Sequence, residues 1–139
     1  MKNTICTAVG IVGSGIASLF GGWTASLTTL VVFMGLDYVS GLLVAGVFHN
    51  SPKTDTGALE SRAGFKGLLR KMMILVFVLV GRRLDLAMGT TCVRDAVCIA
   101  YMANELLSIV ENAGLMGIPI PEPITGAIEL LKKKDMTRT

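Results

Sequence analysis

Residues 27–48 read LTTLVVFMGLDYVSGLLVAGVF, a run with a single charge, Asp37, about midway. A hydrocarbon core of about 30 Å takes roughly 20 apolar residues to cross as an α-helix, so this stretch has the length of a membrane span. Working outward, further apolar blocks cover 5–20, 68–86 and 93–110, and the four together fill most of the 139-residue chain. Barrel strands would be shorter and would alternate in polarity. Lipid offers the backbone no hydrogen-bond partner, so repeated helical spanning is the economical reading.

Composition points the same way. The chain is 52% hydrophobic and 17% charged, against roughly 25% charged in an ordinary soluble domain. With aromatics at 6% there is little to build a compact aqueous core, which argues against a soluble enzyme. Gly10, Gly13, Gly15, Gly21 and Gly22 interrupt the first block and three more blocks follow it, so it reads as a retained helix rather than a signal peptide. Cys6, Cys92 and Cys98 form no CxxC pair and His49 is the only histidine, so neither a metal nor a cofactor is expected. The expected fold is an all-α membrane protein of one domain, 1–139, with about four transmembrane or membrane-embedded helices (5–20, 27–48, 68–86 and 93–112) and a short C-terminal amphipathic helix over 122–134.

Charge gives the orientation. Lys2, the group Lys53, Arg62, Lys66, Arg70 and Lys71, and the group Lys132, Lys133, Lys134 and Arg138 all fall on one side if there are four spans, leaving Arg82, Arg83 and Arg94 on the other. The excess of Lys and Arg on cytoplasmic loops then places both termini in the cytoplasm. The third block raises a difficulty, because its uninterrupted apolar part, Met72 to Gly81, would extend only about 15 Å as a helix. Either Arg70, Lys71, Arg82 and Arg83 snorkel to the headgroups or the bilayer thins there; alternatively Leu68, Leu69, Leu84 and Leu86 complete an ordinary span.

Helical phase separates the faces. Gly10, Gly13, Ser14, Ala17 and Gly21 lie within an arc of about 100°, a small-residue seam that permits close helix association between copies. Asp37 facing lipid while ionised would cost roughly 2.5 to 3.5 kcal/mol, so it needs water, or a hydroxyl or arginine at a packed contact. Both remain open. Arg94, Cys98, Tyr101, Glu105, Ser108 and Asn112 share about 80° of the fourth block, widened by Asn104 and Glu111. That face suits the wall of an aqueous lesion, a buried contact or the membrane surface. No partner for Asp37, Glu105 or Glu111 can be named from the sequence.

The prolines of Gly117-Ile118-Pro119-Ile120-Pro121-Glu122-Pro123 force a turn. Ile124, Ile128 and Leu131 then recur at helical spacing before Lys132, Lys133 and Lys134, which fits either a helix resting on anionic headgroups or a solvated tail. Three lysines without a recognition fold do not indicate nucleic acid.

Taken together, these motifs resemble the toxin-secretion and phage-lysis holins of Gram-positive bacteria and their phages. The resemblance rests on Gly21-Gly22-Trp23, Phe33-Met34, Asp37-Tyr38, Gly41, Ser61, Gly64-Phe65-Lys66-Gly67 and Arg70-Lys71. It continues through Arg94, Tyr101, Asn104-Glu105, Ser108, Glu111-Asn112-Ala113 and Gly117-Ile118-Pro119-Ile120-Pro121. It implies a homo-oligomer in the bacterial cytoplasmic membrane that opens lesions for an endolysin, or a large toxin, without catalysis or cofactor. Two positions depart from the family pattern: Thr24 stands where an acidic residue often follows the tryptophan, and Arg82-Arg83 replaces a stretch that is usually apolar.

Two other functions fit the same residues. One is a small transporter in which Asp37 or Glu105 binds a proton or cation; the other is an antiholin-type regulator that joins and delays holin oligomers. No nucleophile and base pair, phosphate-binding glycine loop or metal-ligand set supports an enzyme. The four-span topology predicts that single-cysteine labels at residues 2 and 133 react from the same, cytoplasmic side; labelling from opposite sides would exclude it.

Overall fold

A computed structural model describes residues 1–54 and 56–138, with the side chains of 135–138 left aside. Five α-helices carry the chain: α1 (Lys2–Leu19), α2 (Ala25–Gly46), α3 (Ser61–Met88), α4 (Val93–Leu115) and α5 (Glu122–Arg138), with no strand among the described residues. Helix α2 starts where it does because Thr24 is extended and its hydroxyl accepts the Leu27 N–H at 3.3 Å, relieving one unpaired donor of the first turn. Among the described residues α2 is the one helix both long and apolar enough to cross a membrane by composition, at a mean hydropathy of 1.8.

Helix α3 is longer than the 68–86 expected. It begins at Ser61 and runs 28 residues, about 42 Å. Gly64 and Gly67 weaken a helix by only about 1 kcal/mol each, and both lie against Tyr38, whose hydroxyl donates to the Gly64 carbonyl at 3.4 Å. The short apolar run Met72 to Gly81 is therefore no measure of this helix. The other boundaries move less: α1 and α2 each begin and end slightly before the expected 5–20 and 27–48, and α4 runs past 112 to Leu115.

Helices α2 and α4 lie side by side and parallel, Arg94 beside Phe20 and Thr24 at one end and Asn112 beside Asp37 and Ser40 towards the other. Helix α3 runs antiparallel to both, packing on α4 and barely touching α2. Leu27, Leu30 and Met34 of α2, Val78 of α3, and Cys98, Ile99 and Met102 of α4 form the core. A close approach at Gly81 lets α3 reach α4, since a Cβ there would stand 3.1 Å from the Arg94 Cα.

The C-terminal segment is a helix, longer than the 122–134 expected, and not a solvated tail. Helix α5 docks on α4, burying Ile128 and setting Leu131 against the core, while Ile124 stays exposed. Helix α1 behaves differently: Ala17 is its only buried residue, and positions Gly10 and Gly13 have open space where a side chain would be.

One side chain organises the α3–α4 turn. Asp85, 2% exposed, accepts from the Thr90 hydroxyl at 2.6 Å, the Val93 N–H at 2.9 Å and the Arg94 N–H at 3.0 Å. The N-cap position of α4, Cys92, supplies no side-chain bond, so Asp85 caps the helix from its neighbour. Replacing it by alanine strands two backbone donors, and Asp85→Ala is expected to lower stability by about 2 kcal/mol, read as an earlier midpoint when the helices are unfolded by SDS in mixed micelles.

Candidate functional site: a lysine between two carboxylates

At the depth of Asp37 the three central helices each contribute a charged side chain. Lys71 Nζ of α3 lies 2.7 Å from Asp37 Oδ2 of α2 and 2.7 Å from Glu105 Oε2 of α4. The side chains are 13%, 7% and 8% exposed for Lys71, Asp37 and Glu105. Asn112 completes the shell, its amide nitrogen 3.1 Å from Asp37 Oδ1, 2.9 Å from Ser40 Oγ and 3.3 Å from the Asp37 carbonyl. The cluster thus gathers two carboxyl groups and one ammonium in a weakly screened place, where a charge is tolerable only if it is paired and hydrogen-bonded.

Beside it, between α2 and α3, lies a cavity of about 220 Å³ whose wall includes Asp37, Tyr38, Arg70, Lys71, Glu105 and Glu60. A second polar knot closes the opposite end of the bundle. Arg94 donates to the Phe20 carbonyl at 2.7 Å and to Asp95 Oδ1 at 3.1 Å, and lies 3.4 Å from the Thr24 hydroxyl. This arrangement ties the α1–α2 turn to the start of α4. Among the described residues no three His, Cys, Asp or Glu side chains gather to hold a metal ion.

The polar face read from the fourth block turns largely into the protomer itself. Arg94, Glu105 and Asn112 are buried, Ser108 is half-buried, and Asn104 and Glu111 are exposed. Tyr101 is half-buried and stacks on Phe77 with ring centroids 6.4 Å apart. Of the small-residue seam, Ala17 is buried and Gly21 half-buried, whereas Gly10 and Ser14 are exposed and Gly13 has open space beside it. Lys132, Lys133 and Lys134 are exposed on α5.

Lys71 is the residue that sequence reasoning left unplaced. Snorkelling outward with Arg70 is one of the readings its sequence position allows; the side chain instead points inward, because two carboxylates offer it partners that lipid does not. A signal was present: Gly64, Gly67, Lys71, Ile74, Val78, Gly81 and Asp85 recur at alternating spacings of three and four, and all are buried or half-buried. The outer faces of α3 are as apolar as this one, with Leu69, Met72, Met73, Val76, Phe77 and Val80 exposed, so hydropathy alone does not pick out the inner side.

Comparison with known proteins bears on what such a bundle does. The sequence profile of the bacteriophage holin family matches residues 14–133. The chain belongs to this family. As a member it falls among non-enzymatic membrane proteins, and the family implies the cytoplasmic membrane. This holin-family chain is 31% identical over 114 residues to a protein of Bacillus phage phi105 named "Probable holin", covering 81% of this chain and 78% of that one. It is also similar to an uncharacterized protein of Listeria innocua, 39% identical over 133 residues (94% and 89% of the two chains). A third relative is an uncharacterized 14.9 kDa protein in the nagH 3' region of Clostridium perfringens, 36% identical over 118 residues (84% and 83%). No solved structure matches the chain.

Removing the cation alone leaves two buried carboxylates facing each other. Lys71→Met is therefore expected to cost about 3 kcal/mol or more, whereas Lys71→Met combined with Asp37→Asn and Glu105→Gln, which removes every charge, is expected to recover most of it. Unfolding midpoints of the two variants in the same mixed micelles decide the matter; equal losses would mean that the charges are not coupled.

Proposed function

We propose that this chain is a holin that gathers in the bacterial cytoplasmic membrane and opens lesions through which an endolysin, or a large toxin, leaves the cell. The observation that carries the reading is the inversion of polarity in a member of the holin family. Charges sit inside at Asp37, Lys71 and Glu105, while large apolar side chains such as Val9, Val12, Leu36, Val39, Val76 and Val80 stand exposed outside. Such a surface suits lipid and copies of itself rather than water. Helices α1 to α4 are the membrane-embedded elements, both termini face the cytoplasm, and Lys132, Lys133 and Lys134 lie near anionic headgroups.

In the closed protomer the hydrophilic side of α4 is satisfied by α2 and α3. Association through the open seam of α1, at Gly10, Gly13 and Ser14, brings copies together. A lesion forms when Arg94, Tyr101, Glu105, Ser108 and Asn112 exchange their contacts within the protomer for water and join the already exposed Asn104 and Glu111. The cost of that exchange, set by the Lys71 cluster, keeps single subunits silent. One observation favours a second reading: the cluster sets two carboxyl groups against one ammonium beside a cavity, an arrangement that a proton- or cation-coupled transporter would also use.

Inducible expression in bacteria, with membrane potential and release of a cytosolic protein followed together, separates the readings. Abrupt loss of both is the expected result. Gradual, solute-specific flux with no protein release would favour the transporter, and loss of neither an antiholin-type regulator.

A further inference from the structure

Arg82 lies near the end of α3, and the lesion mechanism makes no use of it. It lines a hollow of about 480 Å³ bounded by Ser14, Ala17 and Ser18 of α1, the Gly21-Gly22 turn and Trp23. Three features give the hollow a chemical preference. Among the described residues Arg82 is the one charged side chain in its wall; Asp85, one turn along α3, offsets part of that charge but does not line the hollow, which keeps a preference for an anion. The Arg82 Nε is buried against the Gly21 turn and has no hydrogen-bond partner among the described residues, so the guanidinium is under-satisfied where it enters the wall. Ser14 and Ser18 add two hydroxyls, able to donate to oxygen, and the first turn of α2 begins two residues beyond Trp23.

The turn is built to bring the guanidinium this close. Gly21 has φ +85°, and a Cβ on it would stand 2.8 Å from Arg82 Nε and 2.8 Å from an Arg94 terminal nitrogen. Only glycine satisfies both the backbone and the approach. Arg94 is already bound to the Phe20 carbonyl and Asp95, whereas no partner relieves the Arg82 Nε.

Position selects the source of the anion. Helix α2, the segment with the length and hydropathy of a span, starts at Ala25, so the hollow stands at that helix's membrane boundary. Trp23, 61% exposed at the rim, is of the residue type that settles at headgroup level. A guanidinium with adjacent hydroxyls matches the oxygens of a phosphodiester. We infer that this hollow binds the headgroup phosphate of a phospholipid, with Arg82 as its principal ligand and Ser14 and Ser18 as auxiliary donors. The inference rests on the membrane placement argued under the proposed function but not on lesion formation. Bound there, a lipid joins α1, which otherwise packs little on the bundle, to the end of α3.

Trp23 is the only tryptophan in the chain, so its emission reports on the hollow directly. The full-length protein in an uncharged detergent is titrated with phosphatidylglycerol, with diacylglycerol of the same acyl chains and with inorganic phosphate. A saturable change in Trp23 emission is expected with phosphatidylglycerol alone. Arg82→Gln is expected to need about tenfold more lipid for half the change, while Arg83→Gln, exposed on the same helix and outside the hollow, titrates like the wild type. An R82Q curve that superimposes on the wild type, or an equal response to diacylglycerol, overturns the site, and a full response to inorganic phosphate overturns its assignment to lipid. Should R82Q lose its helical circular dichroism, Arg82→Lys, which keeps the charge but not the planar fork, must also need more lipid, and a wild-type curve for it refutes the site. Flotation with vesicles, run in parallel, separates the two levels: a chain that stays out of vesicles refutes the membrane placement and the site with it, and a chain that floats but fails the titration refutes the site alone.

Discussion

Three helices meet at one ammonium group. Lys71 is held at 2.7 Å by carboxylates from α2 and α4, and through it α3, which otherwise barely touches α2, is fixed to both neighbours. Taking three charges out of water is expensive, so the arrangement adds little net stability over a well-packed apolar core. Its effect is on specificity. Any rotation of α3 that removes Lys71 leaves Asp37 and Glu105 facing each other without a cation, which disfavours other registers. Asn112 and Ser40 extend the constraint along α2 and α4.

The rest of the architecture follows from that inward polarity. With Asp37, Lys71 and Glu105 turned inside, the outer surface of α2 is free to be apolar along most of its length, whereas α3 keeps Arg70 and Arg83 exposed on either side of its short apolar run. Each end of the bundle has its own polar fastening. Asp85 caps α4 from α3, and Arg94 holds the carbonyl end of the α1–α2 turn. Between these fastenings the core is small and built of Leu27, Leu30, Val78, Cys98 and their neighbours. In lipid a small core is not the liability it would be in water, because helix packing there owes little to the hydrophobic effect.

The two terminal helices stand in contrast. Helix α5 is anchored by Ile128 and Leu131, whereas α1 keeps nearly its whole surface open. A protomer with a fixed polar interior and a projecting, glycine-bearing helix is suited to self-association without prior unfolding.

The sequence by itself determined the all-helical class, the spacing of apolar blocks, the proline-enforced turn before α5 and the residues of the polar face on α4. Each is a property of a segment read alone, by length, period or backbone chemistry. It also supplied the family, through motifs in fixed order. What it did not disclose was where Lys71 points, that α3 begins at Ser61, that α5 folds back on α4, and that Asp85 caps a helix other than its own. These depend on which faces meet. Helix α3 is apolar on nearly all sides, so its hydropathy has no preferred phase, and only the juxtaposition of Asp37 and Glu105 in space could turn a lysine away from the headgroups and into the bundle.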